Sequence, residues 1–268
     1  MAILKVRIQL LSLTLLAILA ASVMAQTPCG SKTCAPGECC SKFDFCGRGT
    51  EYCGANCKAG PCTTNGVSVA NIVTQQFLTQ IKNKAAAPNC PNQNFYTREA
   101  FLNALNSYPR FATTGSLDDS KREIAAFFAH VTHETGYFCF KEETGNQNEK
   151  YCDPRTACNP NKRYNGRGPL QLTWNYNYLA AGKANNFDGI NSPETVANDP
   201  VISFKAALWF WMENVSPVVS QGFGATIRKI NGVVECDGKD RPKVQARVDL
   251  YRNYCQQFGV DARNNLFC

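Results

Sequence analysis

The sequence predicts a mainly α (α+β) domain preceded by a small module held together by disulfides. Eight of the 15 cysteines fall between Cys29 and Cys62, and seven are scattered from Cys90 to Cys268, a contrast expected of two domains with different physics. From residue 71 onward apolar residues recur at helical spacing, and no runs of alternating strands break the pattern. At 268 residues the chain is long enough for one sizeable core plus an accessory module.

The N-terminus reads as a secretory signal over residues 1–25. Lys5 and Arg7 precede an apolar run from Ile8 to Ala21, and Val23-Met24-Ala25 offers small residues for cleavage. Fifteen cysteines agree with an oxidising, extracellular compartment. No later segment is apolar and long enough to span a bilayer, so a secreted, soluble, monomeric protein with no membrane partner is expected. The chain stops at Cys268, with no tail for vacuolar sorting expected beyond it. The formal charge of +7 becomes +5 once Lys5 and Arg7 leave. No basic stripe with interleaved aromatics accompanies it, which argues against nucleic acid. With only two histidines, no metal site and no cofactor are expected.

Residues 26–62 hold eight cysteines and few aliphatics, too little apolar surface for a core without covalent staples. Eight cysteines permit about 105 pairings, so connectivity stays open at this level. In such a module aromatics tied between disulfides are expected at the surface, where their faces stack on sugar rings; the alternative is that Phe43 and Phe45 form a miniature core. Residues 63–70 are a short polar linker, and the second domain runs over 71–268.

That domain opens with helical spacing from Val69 to Lys84. Thr97 is an N-cap for a helix to Asn106, stopped by Pro109. Ser120 and Glu123 have capping-box spacing, and Ile124, Phe127, Phe128 and Val131 then form one apolar face. Gly136 closes this helix. Asp199-Pro200 opens another, whose interior from Phe204 to Met212 is apolar nearly all round and expected to be buried, Trp209 and Trp211 included. A last helix covers Lys243 to Phe258.

The chemistry concentrates around His133-Glu134-Thr135-Gly136. Glu134 lies at the edge of the apolar face and at the helix C-terminus, where partial burial and the macrodipole both disfavour a charge, as suits a general acid. Glu142 and Glu143 sit in a polar stretch where an ionised carboxylate is comfortable, and composition does not separate them. Two carboxylates in contrasting environments point to glycoside hydrolysis; the plain alternative is that all three are surface residues. His133 lies nearly opposite the apolar face, suited to a supporting role.

Two resemblances sharpen this reading. Cys39-Cys40-Ser41-Lys42-Phe43-Asp44-Phe45-Cys46 with Tyr52-Cys53-Gly54 resembles the hevein-type chitin-binding module. That implies a saccharide platform of Ser41, Phe43, Phe45 and Tyr52, and pairs Cys29–Cys40, Cys34–Cys46, Cys39–Cys53 and Cys57–Cys62. Phenylalanine stands where many members have tryptophan, and Asp44 where glycine is common. Residues 71–268 resemble the plant class IV chitinases of glycoside hydrolase family 19 through HVTHETGYFCF (130–140), NGRGPLQLTWNYNY (165–178) and VISFKAALWFWM (201–212). The resemblance implies a lysozyme-like, bilobal domain with a catalytic cleft, acting on chitin and chitooligosaccharides without a cofactor. Glu134 would be the acid of an inverting mechanism and Glu143, not Glu142, the base, with Thr173 holding the attacking water. Gln171, Tyr176, Asn177 and Asn231 would line the cleft, with Val233 replacing a smaller residue, while Glu235 and Arg247 orient the glutamates. Pairs Cys90–Cys139, Cys152–Cys158 and Cys236–Cys268 follow, leaving Cys255 a buried thiol. Defence against chitin-bearing organisms is the implied role. A non-catalytic chitin-binding protein and a muramidase are the competing readings.

Overall fold

The computed structural model describes residues 27–30, 34–35, 38–47, 52, 57–59, 68–85, 90–145 and 148–268. The expected signal at 1–25 and residues 63–67 of the expected 63–70 linker lie outside the described residues, and Val69 and Ala70 of that linker already belong to a helix.

The small module is an antiparallel sheet of β1 (Thr27–Pro28), β2 (Cys39–Ser41), β3 (Phe45–Gly47) and β4 (Cys57–Ala59), in the order β1-β3-β2-β4. Strands of two or three residues cannot bury a core, and covalent bonds replace it: Cys29–Cys40 and Cys34–Cys46 are joined. The third bond corrects the expected pairing. β4 lies beside β2, with Ser41 opposite Cys57, and Cys39 is bonded to Cys57 at a Cα separation of 5.7 Å. A sulfur forms one disulfide, so this replaces both Cys39–Cys53 and Cys57–Cys62; Cys53 and Cys62 lie outside the described residues. Asp44 adopts φ 64°, the left-handed conformation that explains why glycine suits this turn. Its carboxylate is tied to Lys58 at 2.7 Å.

The larger domain is helical: α1 (Val69–Ile72), α2 (Gln75–Lys82), α3 (Arg98–Leu105), α4 (Leu117–Thr135), α5 (Asn175–Asn185), α6 (Thr195–Asn198), α7 (Pro200–Phe210), α8 (Phe223–Glu235) and α9 (Arg241–Gln257). The single helix expected from Val69 is two, because Thr74 takes an extended conformation and its Oγ1 caps α2 by accepting from Phe77 N. Thr97 caps α3 as expected, and Asp199 with Pro200 starts α7. α7 runs into one π-helical turn, Trp211–Val215, that seats the fully buried Trp211.

α4 is the centre of the domain. It begins earlier than expected: the capping box is Ser116 with Asp119, not Ser120 with Glu123. Both pairs have the required spacing, but Ser120 and Glu123 are buried inside the helix, where Glu123 accepts from Trp211 Nε1 and Ser216 Oγ. Burial pushes the Glu123 carboxyl above its ordinary range, against those bonds. From Arg122 to Thr132 every residue is buried, the polar Arg122, Glu123, His130 and Thr132 included, so the helix is enclosed on every side rather than on one apolar face. Phe127 and Phe128 pack edge-on against Phe101, Phe111, Phe77 and Trp211, and α9 lies along the helix.

Candidate active site

α4 ends at Gly136, in the left-handed conformation of a helix C-cap. Tyr137 and Phe138 follow at φ 63° and 66°, a conformation costing about 1–2 kcal/mol per non-glycine residue. The hook is held from below. Phe138 is buried and its N–H donates to Thr135 Oγ1 at 2.8 Å, Tyr137 N donates to Thr132 O, and Cys139 is bonded to Cys90. Its effect is to reverse the chain immediately after Glu134 and feed it into the segment carrying Glu142 and Glu143.

Glu134, with 17% of its side chain exposed, meets Arg247 of α9. The Arg247 guanidinium is 1% exposed, and each of its three nitrogens has a partner. Nε and Nη2 form a fork onto Glu235 at 2.7 and 2.8 Å, Nη2 also donates to Glu134 Oε1, and Nη1 donates to His130 Nδ1 at 3.1 Å. Asn231 Nδ2 donates to Glu235 Oε1 at 2.7 Å from a kink in α8, where its φ/ψ leave the helical range. Burial acts to raise the Glu235 carboxyl, but Arg247 and Asn231 outweigh it and hold it below its ordinary range. Arg247 is opposed by burial and raised by Glu134 and Glu235. Four expected residues, Glu134, Asn231, Glu235 and Arg247, are thus one hydrogen-bonded cluster. His133 is half-buried and lowered to about 4 by burial, with Arg247 adding to it.

The second carboxylate is positioned by a rudimentary ribbon. Glu143 N donates to Gly166 O, Gly168 N to Lys141 O, and Arg167 and Leu172 exchange both backbone bonds. The ribbon separates two glutamates that composition left alike. Glu142 accepts from Arg167 Nε and Asn165 Nδ2, each at 3.0 Å, and Arg167 is 6% exposed and also donates to Tyr178. Glu142 is therefore the counter-ion of a buried arginine. Among the described residues Glu143 accepts one side-chain hydrogen bond, from the Tyr151 phenol at 3.0 Å.

Gln171 and Trp174 take φ 48° and 77° and turn the chain sharply between the ribbon and α5. Thr173 Oγ1 donates to Gln171 O at 2.7 Å, Gln171 Nε2 to Gly168 O, and Asn177 Nδ2 to Thr173 O, so these three expected residues brace one another. Tyr176 is 41% exposed and stacks on Trp174, with ring planes 12° apart; Trp174 meets Tyr151 edge-on. Sequence reasoning missed Trp174, Tyr151 and His130. The ring faces of the 170–178 stretch were the available signal for Trp174; His130 looked like one more residue of the apolar helix.

In the small module Phe43 is 66% exposed, with Lys42 Nζ over its ring, and Phe45 is half-buried. The Tyr52 ring lies against Gly47, where no Cβ would fit. Ser41 is buried, and its Oγ accepts from Phe43 N. Ser41 therefore shapes the turn beneath the aromatics.

A half-buried carboxylate held by a buried arginine, and a second carboxylate on a polar ribbon, are the pair of groups that a glycan-cleaving hydrolase uses, here on a helical domain. The glycoside hydrolase family 19 model, described as chitinase class I, matches residues 72–221 and 218–268, and the chain belongs to that family. It is 59% identical over 242 residues to endochitinase EP3 of Arabidopsis thaliana, covering 88% of each chain, and 51% identical over 269 residues to endochitinase B of Zea mays, covering 96% of this chain and 94% of that one. The crystal structure of a family 19, class IV chitinase from Zea mays superposes with a TM-score of 0.71 at 51% identity, over 74% of this chain and 98% of that one.

Proposed function

We propose that this protein is a secreted endochitinase that cleaves β-1,4 links between N-acetylglucosamine units with inversion, and that it acts in defence against chitin-bearing organisms. The observation that carries the mechanism is the unequal fate of neighbouring carboxylates. The charge of Glu142 is paired with the buried Arg167, whereas Glu143 meets the neutral Tyr151 phenol and, among the described residues, no cation, which leaves it the carboxylate available to a water. Glu134 protonates the leaving glycosidic oxygen, held in aim by Arg247, whose charge the Glu235 fork already balances. Glu143 takes a proton from the attacking water. The Thr173 hydroxyl proton is committed to Gln171 O, so its oxygen is free to accept a hydrogen bond from the water's second O–H, which stays with the new anomeric hydroxyl, and to turn the water's lone pair toward the anomeric carbon. Inversion requires about 6.5–9.5 Å between the two carboxyl groups, room for that water.

Gln171, Tyr176, Asn177 and Asn231 line the sugar-binding cleft in this reading, with the Trp174–Tyr176 stack as an aromatic wall. The small module holds the enzyme on insoluble chitin through Phe43, Phe45 and Tyr52. No cofactor enters any step, and the monomer suffices. NMR of the first product from chitohexaose tests the stereochemistry: the α-anomer is expected, and an initial β-anomer would overturn inversion. Faster release of sugar from peptidoglycan than from soluble chitin would favour the muramidase reading. Activity in the intact protein no greater than in Glu134→Gln would favour a binding protein without catalysis.

A further inference from the structure

His130 stands four residues before Glu134, so both project from the same side of α4. It is fully buried, with its ring stacked at 4.9 Å on Phe223 of α8. Nothing in the proposed chemistry uses it, yet it contacts the group that holds the acid. A guanidinium has only donors, so Arg247 Nη1 at 3.1 Å must donate to Nδ1, and Nδ1 must carry a lone pair. A neutral imidazole then has its proton on Nε2, which lies 2.9 Å from Thr226 Oγ1 and must donate to it. The Thr226 hydroxyl passes its own proton on, to Phe223 O at 2.7 Å. Every donor in the sequence Arg247, His130, Thr226, Phe223 is determined by the one before it. The chain connects α9, α4 and α8 at the point where the acid sits. Burial first, and then the Arg247 charge, keep the ring neutral well below the usual histidine range.

We infer that His130, locked as the neutral Nε2–H tautomer between Arg247 and Thr226, is a positioning residue that sets the rotation of the Arg247 guanidinium and thereby the aim of Glu134. The inference rests on the reading of Glu134 as the acid. Without the Nδ1 acceptor, Nη1–H is a buried donor with no partner from α4, and the guanidinium rotates about its fork with Glu235 to find one. Nη2 lies on the axis of that rotation and stays on Glu235, but its second N–H swings out of line with Glu134 Oε1 and the acid loses its aim.

The test combines kinetics with ring-nitrogen NMR. The chain has only two histidines, so ¹⁵N-histidine labelling gives two ring systems, and the one missing from His130→Gln is His130. It should show a protonated Nε2 and an unprotonated Nδ1 at neutral pH. His130→Leu should lower kcat on soluble chitooligosaccharide on the order of 10- to 100-fold, with KM within about twofold. His130→Gln, whose carbonyl accepts from Arg247 while its amide donates to Thr226, should recover kcat to within about threefold of the parent. A proton on Nδ1, a parental kcat in folded His130→Leu, or a raised KM with kcat unchanged would overturn the inference. If His130→Leu does not fold, the parent's tautomer and the His130→Gln rate decide, and a glutamine variant as slow as Glu134→Gln counts against it. Should Glu134→Gln itself retain activity, the reading of the acid fails, while the tautomer result stands apart.

Discussion

Glu142 and Glu143 show how much one neighbour decides. Replacing Glu143 by Gln should lower kcat about 10²- to 10⁴-fold, the range for loss of a general base, and Glu134→Gln should do the same for the acid. Glu142→Gln should leave kcat within about tenfold but destabilise the fold by about 1–3 kcal/mol, because the buried Arg167 loses its charge partner. Urea unfolding and initial rates on soluble chitin separate the two outcomes; equal loss of activity in Glu142→Gln and Glu143→Gln would remove the distinction. His133 gives a pH dependence. Its proton affinity in the folded state is lowered from 6.5 to about 4 by burial and by Arg247. Between those values the unfolded chain binds more protons than the native one, so stability falls as pH drops from about 6.5 to about 4 and this contribution levels off below. The unfolding midpoint followed across that window should show the slope, and His133→Asn should reduce it, leaving the part contributed by the buried His130.

At the scale of elements, α4 and the hook after it do most of the positioning. The helix start lies about 18 residues from the acid, and its capping box acts on stability alone: Ser116→Ala should cost about 1 kcal/mol and leave kcat unchanged. The hook differs. Its left-handed residues are stored strain, and the Cys90–Cys139 bond closes a loop of sequence separation 49, worth about 4 kcal/mol of chain entropy. Replacing both cysteines by alanine should therefore lower both the unfolding midpoint and kcat, since the hook is what turns the chain from Glu134 toward Glu143. A variant with lowered stability but parental kcat would show that the hook's hydrogen bonds to Thr132 and Thr135 suffice.

For the whole molecule, the proposed function assigns adhesion to the small module and chemistry to the helical domain. Phe43→Ala, which removes the most exposed ring of the module, should reduce retention on chitin beads while leaving turnover of a soluble oligomer unchanged. The pulldown and the soluble assay, run on one preparation, check both halves of that statement; parental retention would place adhesion elsewhere. Cys255 is a buried thiol raised to about 11 by burial, and belongs to the packing of the α9 face.

What the sequence by itself determined is local. Thr97, Asp199 with Pro200, and Gly136 were legible because a cap is a bond between a residue and its own near neighbours. The density of cysteines in one short segment required covalent staples, and the long motifs indicated the family. Tertiary structure decided the rest. Ser116–Asp119 and Ser120–Glu123 satisfy the same spacing rule, and burial of Glu123 against Trp211 chose between them. Cys39 took Cys57 because strand register, invisible to spacing, brought β4 beside β2. Arg247 reaches Glu134 across 113 positions of chain, and His130 joins that cluster only where α4, α8 and α9 converge. Neighbours in sequence set the dihedrals, but the partner of a buried charge is whichever group packing places against it.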